Sequence, residues 1–438
     1  MKKAIPGLMF ALSMLVGNTA SAGLAPKRMV LDNGIILLTS EQRALPMVSI
    51  ELLIDAGARL DSSGQEGLAN LAARLLTYGT KRRSALQISE ALDFLGASLS
   101  TGCGENLASV SMTILKKDLS TGLALVAEVL TQSTFPEEEI DRQKQSVVAL
   151  LKAREEDPGE IAERQFAAAL FPKSPYGRPV EGSESSIGAI SQQSLREFYE
   201  RHYRPNRTIL AVVGDVSTEE IADALDQSFR SWRKGMPSDK PPAPSASAAP
   251  ATIRVNKELT QANIIMGHAG VTRDNPDYYA IQVMNNILGG GGFSSRLMDS
   301  IRNERGLAYS VYSLFGADKS HGTFQVGMQT KNDSAREAMR VAREEMERIR
   351  REPVSEQELN DAKNYLTGSF PLRLDTNRKV ANFLAQVEFF QLGLDYPERY
   401  GELIRKVTGE DVLRVATRYI HPEQLITVVI GDQKQIGD

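Results

Sequence analysis

AISQQSLREFYERHYRPNRTILAVVGD, residues Ala189 to Asp215, recurs in outline as KVTGEDVLRVATRYIHPEQLITVVIGD, residues Lys406 to Asp432. Each reads as a capped amphipathic helix, an Arg/His-Pro stop, and a run of β-branched residues closed by Gly-Asp. A constant offset of 217 aligns Arg201 with Arg418, Pro205 with Pro422 and Gly214-Asp215 with Gly431-Asp432. A second pair, PEEEID at Pro136 to Asp141 and SEQELN at Ser355 to Asn360, lies at an offset of 219. Each starts a long helix after an N-cap-like residue. Two related halves therefore fit the chain better than two unrelated domains.

Between the repeats, MPSDKPPAPSASAAPAT (residues 236–252) is rich in Pro, Ala and Ser and poor in large apolar groups, which marks a linker. The expected organisation is a leader over 1–22, an N-terminal unit over 23–235, the linker, and a C-terminal unit over 253–438. VSIELLIDAG (Val48 to Gly57), SVSMTIL (Ser109 to Leu115) and TFQVGMQT (Thr323 to Thr330) read as further strands. Short hairpin-like strands with helices grouped between them predict an α+β fold, each half a mostly antiparallel sheet carrying helices.

A chain of 438 residues exceeds one ordinary core, while 42% hydrophobic and 24% charged residues are ordinary globular values. The net charge of −4 and the lack of a basic stripe with interleaved aromatics argue against nucleic acid as a partner. MKKAIPGLMFALSMLVGNTASA opens with Lys2 and Lys3, continues through an apolar stretch from Ile5 to Val16, and ends in Ala20-Ser21-Ala22. That is the layout of a secretory leader, with cleavage expected after Ala22 and a periplasmic destination. No lipid anchor or further membrane segment is expected. Cys103 is the single cysteine and lies between two glycines, so no internal disulfide can form. Its neighbours favour a packing role over a nucleophilic one.

GLANLAARLLTYGT, residues Gly67 to Thr80, places Asn70 and Arg74 four apart on one helix face. Two histidines at that spacing could hold one zinc, but an amide and a guanidinium cannot. Further along, LGGGGFSSRL (Leu288 to Leu297) carries Gly289, Gly290, Gly291, Gly292 and Ser294 ahead of an expected amphipathic helix. The glycine run lacks the Lys-Ser/Thr ending of a phosphate loop. IRNERGLAYSVYS then sets Arg302 near a helix end and Tyr309 seven residues on, in the following strand. His202, His268, His321 and His421 are scattered, with no pair at ligand spacing, and read as surface or locally hydrogen-bonded residues.

Together GLANLAARLLTYGT, SPYGRPVEGSESSIGAIS, YRPNRTILAVVGDV and GGGGFSSRLMDSIRNERGLAYSVYS resemble the mitochondrial processing peptidase branch of the pitrilysin family, the inverted-zincin peptidases. The resemblance implies a half clam shell. In that family an H-x-x-E-H helix binds zinc and activates water, and its positions fall here on Asn70, Ala73 and Arg74. The third ligand would fall at about Leu151. Asn70 and Arg74 are then either merely solvated helix residues, or Arg74 occupies the former metal pocket and pairs with a carboxylate there. The resemblance further implies that the glycine segment lets a peptide backbone approach, and that Arg302 and Tyr309 hold the substrate backbone near the scissile bond. The chain is thus expected to bind no metal, to pair with a homologous subunit carrying the zinc motif, and to act on peptides. The alternative is a scaffold of the same fold with no part in proteolysis.

Overall fold

The structure, a computed structural model, describes residues 24–237, 244–247 and 249–437. The expected leader lies outside the described residues, as do parts of the expected linker. The first sheet consists of β1 (Lys27–Val30), β2 (Ile36–Glu41), β3 (Met47–Ile54), β4 (Ser98–Cys103), β5 (Ala108–Leu115) and β6 (Thr208–Gly214), in the order β1-β2-β6-β3-β5-β4. The second consists of β7 (Ala251–Asn256), β8 (Gln261–Ala269), β9 (Ala308–Ala317), β10 (Gly322–Lys331) and β11 (Ile426–Gly431), in the order β7-β11-β8-β10-β9. With β1 set aside the two orders coincide. In each sheet one pair is parallel, β2 with β6 and β7 with β11, and the other pairs are antiparallel. β7 begins at Ala251, inside the stretch expected as linker.

The offset of 217 holds element by element. Helices Gln192–His202 and Gly409–Tyr419 each open on a capping box, from Ser191 and Thr408, and each is followed by a short turn starting at Pro205 or Pro422. The long helices Glu137–Glu156 and Glu356–Ser369 keep the offset of 219, but only Ser355 caps with its side chain. Pro136 has no side-chain acceptor to offer and marks the start by its fixed φ instead.

The central strands β6 and β11 are buried along nearly their whole length. A strand covered on both faces reads as a continuous apolar run rather than an alternation. The second cover comes from the other half. Helix Asn377–Phe389 places Val380, Ala381, Leu384 and Ala385 on Leu38, Leu53, Ala211 and Val213 of the first sheet. Helix Pro158–Leu170 places Ile161, Ala162, Phe166 and Leu170 on Ile265, Ile426, Val428 and Ile430 of the second. Gly267 permits this contact, since a Cβ there would lie 2.6 Å from Phe166 Cζ. Each fully buried aliphatic side chain contributes about 1.5–3 kcal/mol, so the two exchanged helices tie the halves into one body.

Two histidines are built into this body; of the two alternatives, surface or locally hydrogen-bonded, they take the second. His268 is 2% exposed; its Nδ1–H donates to the Ala269 carbonyl (2.7 Å) and its Nε2 accepts from the His421 backbone N–H (3.0 Å). His202 is buried too, and its Nδ1 accepts from Arg207 Nη1 at 2.9 Å. Burial, aided at His202 by Arg207 and Arg201, pulls both imidazoles down to about 4. Both are neutral in the fold, while the unfolded chain takes up their protons from about pH 6.5. Their stabilising contribution is therefore complete above pH 6.5 and is lost as pH falls toward 4. Asp61 acts in the opposite sense: burial raises its carboxyl to about 6, so its cost is relieved over nearly the same window. Two groups outweigh one, and the urea midpoint should fall between pH 7 and pH 4.5. His268→Gln should flatten the slope, and a midpoint that rises on acidification would contradict the assignment.

Candidate functional site

The helix that carries the zinc motif in the resembling family spans Leu68–Leu75. Its start is fixed by Gly67 at φ +94°, where a Cβ would meet the Glu181 carbonyl oxygen at 2.5 Å. The buried Asp61 carboxylate accepts from the Gly67 and Ala69 backbone N–H groups, both at 2.8 Å. It thereby satisfies two donors the helix cannot pair itself. On the helix, Ala73 is fully buried and Asn70 is 6% exposed. Arg74 Nε donates to Asn70 Oδ1 at 3.0 Å. Asn70 is thus a buried residue, not a solvated one, and among the described residues Arg74 pairs with this amide and with no carboxylate. Leu151 sits half-buried on helix Glu137–Glu156, against the same core as the motif helix. An amide, a guanidinium and a methyl-ended side chain do not fit a zinc ion. No group of three or more His, Cys, Asp or Glu able to hold a metal occurs among the described residues. Burial pushes the Cys103 thiol up to about 12, which removes it as a nucleophile near neutral pH.

The glycine segment follows helix Tyr278–Asn285 as a π-helical turn (Asn286–Gly290) and a 3-10 turn (Gly292–Ser294). The helix expected after Ser294 is short and wound as a π-helix over Met298–Asn303. π-turns concentrate at functional sites. Gly289 is buried, with a would-be Cβ 2.5 Å from the Ser313 nitrogen of β9. It lets the segment lie against the sheet and offers no surface to a peptide. Gly290, Gly292 and Ser294 are exposed, Gly291 is half-buried, and Ser294 Oγ donates to the Gly291 carbonyl at 3.2 Å. Arg296, next to last in the segment, is 8% exposed and forked onto Glu358 at 2.6 and 3.1 Å.

Arg302 and Tyr309 come together. The Arg302 guanidinium carbon lies 5.5 Å from the Tyr309 ring centre and 5.0 Å from that of Phe293. The register pairs Ser310 with Gln329 and Ala308 with Thr330, so Tyr309 is the extra residue of a β-bulge. Bulges re-aim side chains. Tyr309 is 71% exposed and Phe293 72%, so Tyr309 is not packed on the sheet. Among the described residues neither the Arg302 side chain nor the Tyr309 hydroxyl has a hydrogen-bond partner. Two cation–π contacts hold the half-buried arginine without using its N–H groups in hydrogen bonds. Sequence reasoning missed Phe293, although an aromatic residue directly after a glycine run is the available signal.

Four cavities of roughly 280–450 Å³ follow one another, neighbours sharing lining residues. The first, beside Ser310 and Tyr312 of β9, shares Glu163 with the second. The second shares Glu105 and Asp318 with the third, and the third shares Glu51, Asn382 and Gln386 with the fourth. This groove crosses the seam between the halves. There Tyr176 donates to Asn106 Oδ1 (2.8 Å) and Asn106 Nδ2 donates to Asp318 (2.9 Å).

Compared with known proteins, residues 37–184 match the family described as Insulinase (Peptidase family M16), and residues 189–366 match that described as Peptidase M16 inactive domain. An uncharacterized zinc protease of Streptomyces coelicolor is 27% identical over 412 residues, covering 92% of this chain and 89% of its own length. One from Bacillus subtilis is 26% identical, covering 81% and 86%. The crystal structure of a peptidase M16 inactive domain from Pseudomonas fluorescens superposes with a TM-score of 0.88 at 27% identity, covering 94% of this chain and 98% of that one. A protease from Helicobacter pylori shares the fold, with a TM-score of 0.85 at 20% identity and coverage of 92% and 99%.

Proposed function

The chain belongs to peptidase family M16, and we propose that it serves there as the zinc-free subunit of a heterodimeric periplasmic peptidase. Its partner is a homologous chain that carries the intact zinc motif. The observation that bears most weight is the contrast between its two halves. The motif helix carries Asn70, Ala73 and Arg74, whereas Tyr309 stands exposed beside a half-buried Arg302, and the donors of both have no hydrogen-bond partner among the described residues. This chain's own contribution is to place the reacting peptide bond: Arg302 donates to a backbone carbonyl oxygen of an extended peptide and fixes its position, and the Tyr309 hydroxyl donates to the carbonyl oxygen that becomes tetrahedral. They require no metal in this subunit, and the groove along the seam gives the peptide a path. Export rests on the leader ending at Ala22.

Co-expression with a zinc-motif relative from the same organism tests the reading. The expected result is a one-to-one complex by sedimentation that hydrolyses peptides, while this subunit alone does not. Two separately sedimenting chains would refute it. A complex that forms and never cleaves would favour the scaffold role, which the degenerate motif helix also permits.

A further inference from the structure

The groove is electrically lopsided. From β9 to the seam its walls carry Asp157, Glu160, Glu163, Glu105 and Asp318. At its far end the cavity of about 450 Å³ carries Arg373, Arg378 and Lys379, with Glu51 in its floor. These cations come from the turn Phe370–Arg373 and the first turn of the exchanged helix Asn377–Phe389, while Glu51 and Ser111 come from the first sheet. The pocket therefore exists only because the halves exchange helices.

Its charges are not equivalent. Lys379 is committed to Asp375 and to the Leu372 carbonyl, both at 2.9 Å. Glu51 is 3% exposed and is occupied by the Ser111 hydroxyl and the Asn382 side chain. Burial raises its carboxyl, against which Arg378 acts from nearby. Arg373 and Arg378 are exposed and have no hydrogen-bond partner among the described residues. Two guanidiniums at the mouth of one cavity match a planar carboxylate, which a guanidinium takes through two parallel N–H groups. The amides of Asn382 and Gln386 and the ring of Phe383 complete the wall.

We propose that this end of the groove is a carboxylate subsite for the peptide substrate, filled by the free C-terminus or by an Asp or Glu side chain. The proposal rests on the reading of the chain as a peptide-holding subunit and adds polarity to it. Five carboxylates elsewhere along the groove repel an acidic peptide end and draw it to the arginines.

Binding to the purified mature chain alone tests this, so that neither partner nor catalysis enters. The probes are three extended decapeptides with the same uncharged residues elsewhere, labelled at the N-terminus and followed by fluorescence anisotropy. One has a free C-terminal carboxylate, one is amidated, and one is amidated with Glu as its last residue. The free carboxylate or the Glu peptide, or both, should bind about 10-fold tighter than the neutral peptide at low salt, and the preference should shrink as salt rises. Whichever acidic peptide shows the preference identifies the source of the carboxylate. Arg373→Gln/Arg378→Gln should abolish the preference and leave the neutral peptide's affinity in place; circular dichroism checks that it folds. Tyr309→Phe should keep the preference. Equal affinity for all three peptides, or a preference that survives the double substitution, overturns the subsite while the peptide-holding reading stands. No binding of any peptide overturns both.

Discussion

Tyr309→Phe in the assembled peptidase should lower kcat by about 100-fold or more, the usual effect of losing one preorganised donor to a developing oxyanion. KM should move little, because a donor that strengthens its bond only as the carbonyl becomes tetrahedral contributes to the transition state and not to the ground state. The geometry makes this substitution clean. Tyr309 occupies a bulge, is exposed, and bonds to nothing through its hydroxyl among the described residues, so no internal bond is lost with it. Phenylalanine keeps the ring against which Arg302 lies at 5.5 Å, and the arginine stays in place. Assembly with the partner should be unchanged by sedimentation. A mutant complex that turns over peptide at the unmodified rate would make Tyr309 an ordinary surface residue and return the chain to a scaffold. Arg302→Ala is a harsher companion, since it also strips Phe293 of its cation–π contact.

Glu358→Ala should be the most destabilising single change near the site. Arg296 is 8% exposed, and Glu358 supplies both of its side-chain bonds; the guanidinium pulls the Glu358 carboxyl down to about 2 against a desolvation cost of the opposite sign. Removing one member of a buried pair costs about 3–5 kcal/mol because the other charge stays buried. Since Glu358 keeps 32% of its side-chain surface in water, the lower end, about 3 kcal/mol, is expected. Glu358 also closes the capping box of its helix through the Ser355 N–H at 2.8 Å. Glu358→Gln keeps the box and loses the charge, so it should fall between wild type and alanine. Urea midpoints measure the loss, and hydrogen exchange over residues 286–297 should show the glycine segment loosening first. Equal midpoints for Glu358→Ala and wild type would show that Arg296 relaxes into water.

The repeat was legible because its signals are local. A Ser or Thr cap, a proline after the helix and a β-branched run each act within a few residues, so both copies announce themselves. The degenerate zinc helix was legible for the same reason. What it does instead was not: Asp61 caps the helix from six residues before Gly67, beyond the reach of ordinary cap patterns, and Arg74 chose the amide one turn back over a carboxylate. The exchanged helices show the limit most clearly. Phe166 and Leu384 reveal by periodicity that they will be buried, but not that their sheets are formed mainly by the other half. His268 and the His421 N–H meet across 153 positions, a pairing that spacing rules for metal ligands do not examine.

The exchange also sets an order of events for a chain made from its N-terminus. Helix Pro158–Leu170 is complete long before β11, the last strand it rests on, and the first sheet waits for helix Asn377–Phe389 to cover its second face. Neither half can finish burying its apolar surface until almost the whole polypeptide is present. Contacts this distant close slowly because loop entropy must be lost first. The first half can gather its own main core early, but one face of each sheet stays uncovered until nearly the whole polypeptide has been made, so completion of the fold comes last.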